Sequence, residues 1–210
     1  MHRLVWDLHY ASLAPTAAGA PQKPGVWAPP GRYSVELGVD GVTYRQSLTV
    51  KPDPRVKVSR EALQSEFRLA RRVERAQLRA SAAEAGAVKL LDALDLRLNG
   101  RGAEHAAVAA FYAQARRISG EWPFPQHRPA FGAGPPHNVR SLAMLSGDLS
   151  RLQRAVDGAD AAPSPDARSA FAILSRQLAA ALGQWRDLRQ VALPKLNARL
   201  RAAGESPLLD

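Results

Sequence analysis

The stretch "RYSVELGVDGVTYRQSLTV", Arg32–Val50, decides the first half of the fold. Tyr33, Val35, Leu37 and Val39 alternate with Arg32, Ser34, Glu36 and Gly38, the period-two pattern of a half-buried strand. Asp40-Gly41 then supplies the two central residues of a type I′ turn, which needs positive φ at both. Val42, Tyr44, Leu48 and Val50 resume the alternation. A two-residue turn predicts the register: Val39 opposite Val42, Leu37 opposite Tyr44, Tyr33 opposite Leu48. On the other face Glu36 falls opposite Arg45, an opposite-charge pair worth a few tenths of a kcal/mol.

Working outward, Leu4, Trp6, Leu8 and Tyr10 form a third alternating run, so a third strand is expected there. The segment between, "LAPTAAGAPQKPGVWAPPG", reads as an irregular surface loop. Three strands cannot close a sandwich, because immunoglobulin-like domains use about seven strands and ~100 residues. One apolar sheet face this small cannot bury itself. It is expected to be covered by the helices that follow, by a second chain, or by further strands.

Pro52 and Pro54 end the strand and mark a boundary, giving a β segment over 1–57 and a helical segment over 58–210. Ser59 reads as an N-cap, with Val58 and Leu63 spaced as a hydrophobic staple. The helix is expected to run to Leu98, before Asn99-Gly100, and at about 58 Å it is long enough to bend near Gly86. A second helix is expected over Ala103–Ile118. A third carries Leu142, Leu145, Leu149, Leu152 and Val156; a fourth starts at Ser164-Pro165 with Phe171, Leu174, Leu178, Ala181, Trp185 and Leu188 as its stripe. Pro194 is expected to kink or restart it, with Leu196 and Leu200 beyond. Such seams favour an antiparallel four-helix bundle, so the expected fold class is α+β: an immunoglobulin-like β-module, whole or lacking strands, followed by that bundle. The long connection 119–137, "SGEWPFPQHRPAFGAGPPH", has five prolines and cannot be helical. Its Trp122, Phe124 and Phe131 are expected to fold it back over apolar surface, or to offer a platform for sugar rings.

Composition excludes more than it names. The 210-residue chain has no cysteine, which removes disulfides, thiolate metal sites and a Cys nucleophile. No apolar run spans a bilayer, and the first thirty residues lack the layout of a signal peptide. His127 and His137, with Glu121 near, fall in no metal-ligand spacing. Ser146-Gly147-Asp148, Gly100-Arg101-Gly102 and Asp157-Gly158-Ala159-Asp160 match no phosphate or calcium loop, and no G-x-S-x-G elbow accompanies any Ser/His/Asp set. No catalytic, cofactor-binding or metal residue is therefore assigned, and Asp7 is read as structural. The net charge of +10, from 24 Arg and 5 Lys against 19 acidic residues, selects no partner by itself. Arg68, Arg71, Arg72, Arg75 and Arg79 make a positive ridge on the first helix. With Glu66 and Glu74 interspersed it reads as a solvated face sooner than as a phosphate-tracking one.

The residues "VWDL" followed by "APPGRYSVELGVDGVTYRQSLTVKPDPRV" resemble the end of a FlgD-type immunoglobulin-like module. More narrowly, with "LSGDLSRLQRAVDGADAAPSPDARSAF" and "LPKLNARLRAAG", the chain resembles the C-terminal region of bacterial BNR/Asp-box, sortilin-like β-propeller proteins often labelled glycosyl hydrolases. The propeller's S-x-D-x-G-x-T-W-type repeats are not in this sequence. The resemblance implies a periplasmic or extracellular protein and a β-propeller or other protein surface as partner. It implies a non-catalytic accessory or docking module, with Trp122, Phe124, Phe131 and the arginine ridge as candidate contact surfaces. The alternatives are a free-standing basic adaptor for nucleic acid or an acidic protein, and one part of a hydrolase whose catalytic domain lies elsewhere.

Overall fold

A computed structural model describes residues 3, 5–14, 24–100, 102–120, 140–158 and 160–208. The protein is mixed α+β, and its described residues form two small two-stranded antiparallel sheets and four helices. β1 (His9–Ala11) pairs with β2 (Pro24–Trp27), and β3 (Gly31–Val39) with β4 (Val42–Val50). The helices are α1 (Arg60–Leu98), α2 (His105–Ser119), α3 (Leu142–Asp157) and a continuous run of α4 (Pro165–Asp187), a π-helical turn (Leu188–Ala192) and α5 (Leu193–Ala202). The chain divides into two compact units, Met1–Arg75 with Arg151–Ala170, and Ala76–Ser150 with Phe171–Asp210. The change from strand to helix falls where the sequence places it, but the first turns of α1 belong to the same unit as the strands.

The β3–β4 hairpin has the register its turn dictates, from Val39 opposite Val42 to Gly31 opposite Val50. Asp40 (φ 50) and Gly41 (φ 80) take the two positive-φ positions of the turn. The cross-strand pair forms, with Arg45 Nε 2.8 Å from Glu36 Oε1.

The other ribbon corrects two expectations. The alternating run ending at Tyr10 is not an extended strand over its length. The Asp7 carboxylate accepts the His9 N–H at 3.0 Å, an Asx-type turn, and Leu8 sits at φ 63. Only His9–Ala11 is left to pair. Its partner β2 lies inside the segment read as an irregular loop. Pro24 is tolerated because it opens the strand. Gly25 is required by close approach: a Cβ there would sit 2.8 Å from the Tyr10 carbonyl oxygen and 2.9 Å from that of Ala11.

This ribbon, not the hairpin, carries the contacts that the helices of the first unit make to the strands. The Tyr10 ring lies 5.3 Å from that of Phe67, and Arg71 stands over Tyr10 at 5.5 Å. Buried Glu74 takes the Leu13 N–H at 3.2 Å and an N–H of the Arg71 guanidinium at 2.8 Å. Trp27 N–H reaches Asp157 at 3.4 Å, and Val26 is 1% exposed. Ser59 caps α1 through the Ala62 N–H at 3.2 Å, and Val58 and Leu63 line one cavity of about 430 Å³ at the root of the hairpin.

In the second unit Leu94, Leu142, Leu145, Leu149, Leu188, Leu193 and Leu200 are fully buried, with Trp185 nearly so. α4 begins at its expected cap, the Ala167 N–H donating to Ser164 Oγ at 3.1 Å. Pro194 stands in the first turn of α5, which starts afresh after the π-helical turn without a gap in the run. The Leu193 N–H reaches back five residues to the Leu188 carbonyl, and this wider turn accommodates the proline ring. It also explains how Leu188 and Leu193, five residues apart and out of phase on an α-helix, are each 1% exposed. The segment after α5 is tied down by Asn197, whose Oδ1 accepts the Leu208 N–H at 2.7 Å while Nδ2 donates to the Leu208 carbonyl at 3.1 Å.

Candidate interaction face

The apolar residues of the hairpin share one face by strand alternation, and this face is bare. Val35, Val39, Val42 and Leu48 are exposed, as are Leu37 (59%) and Tyr44 (60%). Elsewhere most large apolar side chains of the helices are buried, so the bare face is not a general looseness of the chain. Of the three covers expected for it (the helices, a second chain or further strands), the helices are not the one, because these side chains stay exposed in the folded chain. The physical reason is length and direction. Nine-residue strands reach about 30 Å, and only the root is held. There Tyr33 donates its hydroxyl to the Pro29 carbonyl at 2.5 Å and meets the Trp6 ring edge-on at 5.2 Å. Burial and the neighbouring Tyr10 push the Tyr33 hydroxyl up to about 12, so it remains a hydrogen-bond donor at any physiological pH.

The arginine ridge is divided in use. Arg71 is turned inward, half-buried between Glu74 and Tyr10, while Arg68, Arg72 and Arg75 are exposed on α1. Trp122, Phe124 and Phe131, with Glu121, His127 and His137, lie outside the described residues, as does the 119–137 connection beyond Ser119 and Gly120. Among the described residues no group of three His, Asp or Glu is arranged to hold a metal, and no helix is long and apolar enough to cross a membrane.

Two features are not evident from the sequence pattern. The first is an acidic cluster in the first unit. Burial, then Asp160 and Asp157, push the Glu66 carboxyl up to about 7, against a partial offset from the Ala161 N–H. Burial raises Asp157 as well, opposed by the Trp27 N–H and His9. A raised folded value means the folded state holds its proton longer than the unfolded chain. Stability is therefore lost as pH climbs from the ordinary Glu range through 7. Glu66→Gln is expected to leave the thermal midpoint unchanged below pH 4. Above pH 7 it should stabilise by about 1 kcal/mol, a rise of about 2–4 °C, the full linkage value being reduced because the carboxyl is only half-buried. Thermal melts of the two proteins across this range check it.

The second is a cationic groove at the π-helical turn, where Arg79, Arg186 and Arg189 surround a cavity of about 600 Å³. The sequence signal for it is the five-residue step from Leu188 to Leu193 just before Pro194, which no α-helical stripe contains.

No protein-family model, no curated protein and no solved structure matches this chain.

Proposed function

We propose that this chain is a non-catalytic docking module of an exported β-propeller protein, and that the β3–β4 hairpin is the element that docks. In this reading the hairpin belongs to an immunoglobulin-like layer whose second sheet the partner supplies, and the helices form an antiparallel bundle. The observation that carries it is the bare apolar face of Val35, Leu37, Val39, Val42, Tyr44 and Leu48 on a hairpin paired in unbroken register from Gly31 to Val50.

The chemistry of the hairpin favours a β-sheet as the occupant. One face is apolar and the other carries Glu36 and Arg45 as an ion pair, with Thr43, Ser47 and Thr49. That is the pattern of a sheet built to cover a second sheet about 10 Å away on one side and to face water on the other. Both outer edges of the ribbon are also unpaired among the described residues, so added strands can extend it. The resemblance to the C-terminal region of BNR/Asp-box, sortilin-like β-propeller proteins suggests the class of partner, a β-propeller domain.

The test places a photo-cross-linking residue at Leu37 or at Glu36 in the cells that make the protein. The expected result is strong cross-linking from Leu37, weak from Glu36, with the cross-linked peptide mapped to a strand of a β-propeller-bearing polypeptide. Cross-links from Leu37 only to another copy of this chain, or none at all from a chain folded by circular dichroism, would overturn the proposal.

A further inference from the structure

We propose that the groove beside the π-helical turn is a binding site for a phosphate-class oxyanion, a role separate from the docking face. Arg79 of α1 and Arg186 and Arg189 of the α4–π-turn run line it, with Gln190 beside them and Trp185 and Leu193 as its apolar floor. Among the described residues no acidic one lines the groove. Among the described residues none of the three arginines is in an ion pair, although carboxylates elsewhere capture Arg45, Arg55, Arg71, Arg97, Arg140 and Arg199. Three like charges gathered on one concavity repel each other unless an anion lies between them. A guanidinium presents a planar fork of donors that fits phosphate oxygens in pairs.

The helix geometry contributes directly. The π-helical turn keeps both Leu188 and Leu193 in the core, and so holds Arg189 and Gln190 outward between them. Arg189 is further positioned over the Trp185 ring, its Cζ 5.9 Å from the centroid, which restricts the rotamers it must give up on binding. Trp185 is buried and already covered, so it supports the cation and offers no stacking surface to a base. The recognised group is thus the oxyanion itself, whether carried by a small phosphorylated molecule or by a nucleic-acid backbone.

The experiment titrates the full chain with inorganic pyrophosphate by calorimetry, beside Arg186→Ala/Arg189→Ala and a control, Arg68→Ala/Arg75→Ala, that loses the same charge from exposed residues of α1 outside the groove lining. The expected result is saturable one-site binding, weakened at least about tenfold by the groove variant and little changed by the control. Exposed arginines of this kind should leave the circular dichroism spectrum intact, and that spectrum is the check on folding. A gel-shift arm with a single-stranded oligonucleotide separates the sources. Groove-dependent retention that pyrophosphate displaces identifies the nucleic-acid backbone, and retention indifferent to the groove variant identifies a small phosphorylated ligand. Absence of saturable binding, or equal weakening in both double variants, would overturn the proposal.

Discussion

Gly120→Ala is expected to cost about 3 kcal/mol of stability, read as a lowered urea midpoint by far-ultraviolet circular dichroism. Backbone strain and steric overlap add independently. Gly120 ends α2 in the left-handed region at φ 77, its N–H closing back on the Arg116 carbonyl at 2.8 Å. An alanine there costs about 1 kcal/mol through backbone strain alone. The steric overlap costs more: a Cβ would fall inside the van der Waals shells of Ser141 Oγ and Cβ. Ser141 cannot retreat, because it is buried and starts α3, its Oγ accepting the Met144 N–H at 3.3 Å and its carbonyl the Leu145 N–H at 3.0 Å. Overpacking of this kind costs about 1–3 kcal/mol. A double-mutant cycle separates strain from overlap. Ser141→Gly, itself costing only a few tenths as a cap, should recover the steric part in the Gly120→Ala background and leave the φ part. Full additivity of the two substitutions would show that the two residues do not press on each other.

Trp185→Ala should be comparably severe, about 3–5 kcal/mol, because it empties the largest buried side chain of α4. The indole is 7% exposed and its Cζ2 lies 3.5 Å from where a methyl on Gly86 would stand. α1 passes Gly86 without interruption, so the ring packs against an intact helix that has no obvious means of collapsing into the cavity. Trp185→Phe keeps most of the volume and should cost much less. Loss of the indole also removes the ring beneath Arg189, so pyrophosphate binding should weaken more in Trp185→Ala than in Trp185→Phe at temperatures where both remain folded. Calorimetric unfolding and pyrophosphate titration measure the two effects on one pair of proteins.

Local rules made much of the chain legible. The Asp40-Gly41 turn has one hairpin register compatible with it, and Glu36 and Arg45 had to meet. Ser59 and Asn99-Gly100 bracket α1, and Ser164-Pro165 opens α4, because caps satisfy backbone groups within a few residues of themselves. The stripe Phe171, Leu174, Leu178, Ala181, Trp185 and Leu188 is buried throughout, since a 3-4 spacing leaves a helix one apolar side to hide. The failures have local causes too. Asp7 turned an alternating run into a bend by capturing the His9 N–H, a competition that periodicity does not register. Pro24-Gly25 looked like loop chemistry, yet Gly25 is the residue that lets β2 approach β1.

The candidate sites divide along the same line. The apolar face of the hairpin could be named residue by residue from the sequence, and Arg79 was visible as one of a ridge of arginines. By itself, then, the sequence determined which backbone segments form, their register and which face of each is apolar, because these follow from interactions within one hydrogen-bonded ladder or one helical turn. Only the tertiary structure decided what each apolar face meets. It set Phe67, Glu74 and Asp157 against β1–β2, left β3–β4 bare, and brought Arg79 to Arg186 and Arg189 across more than a hundred residues of chain. Burial is non-directional: many pairings hide the same area, and the winner is set by the fit of side chains distant in sequence, which no local pattern encodes.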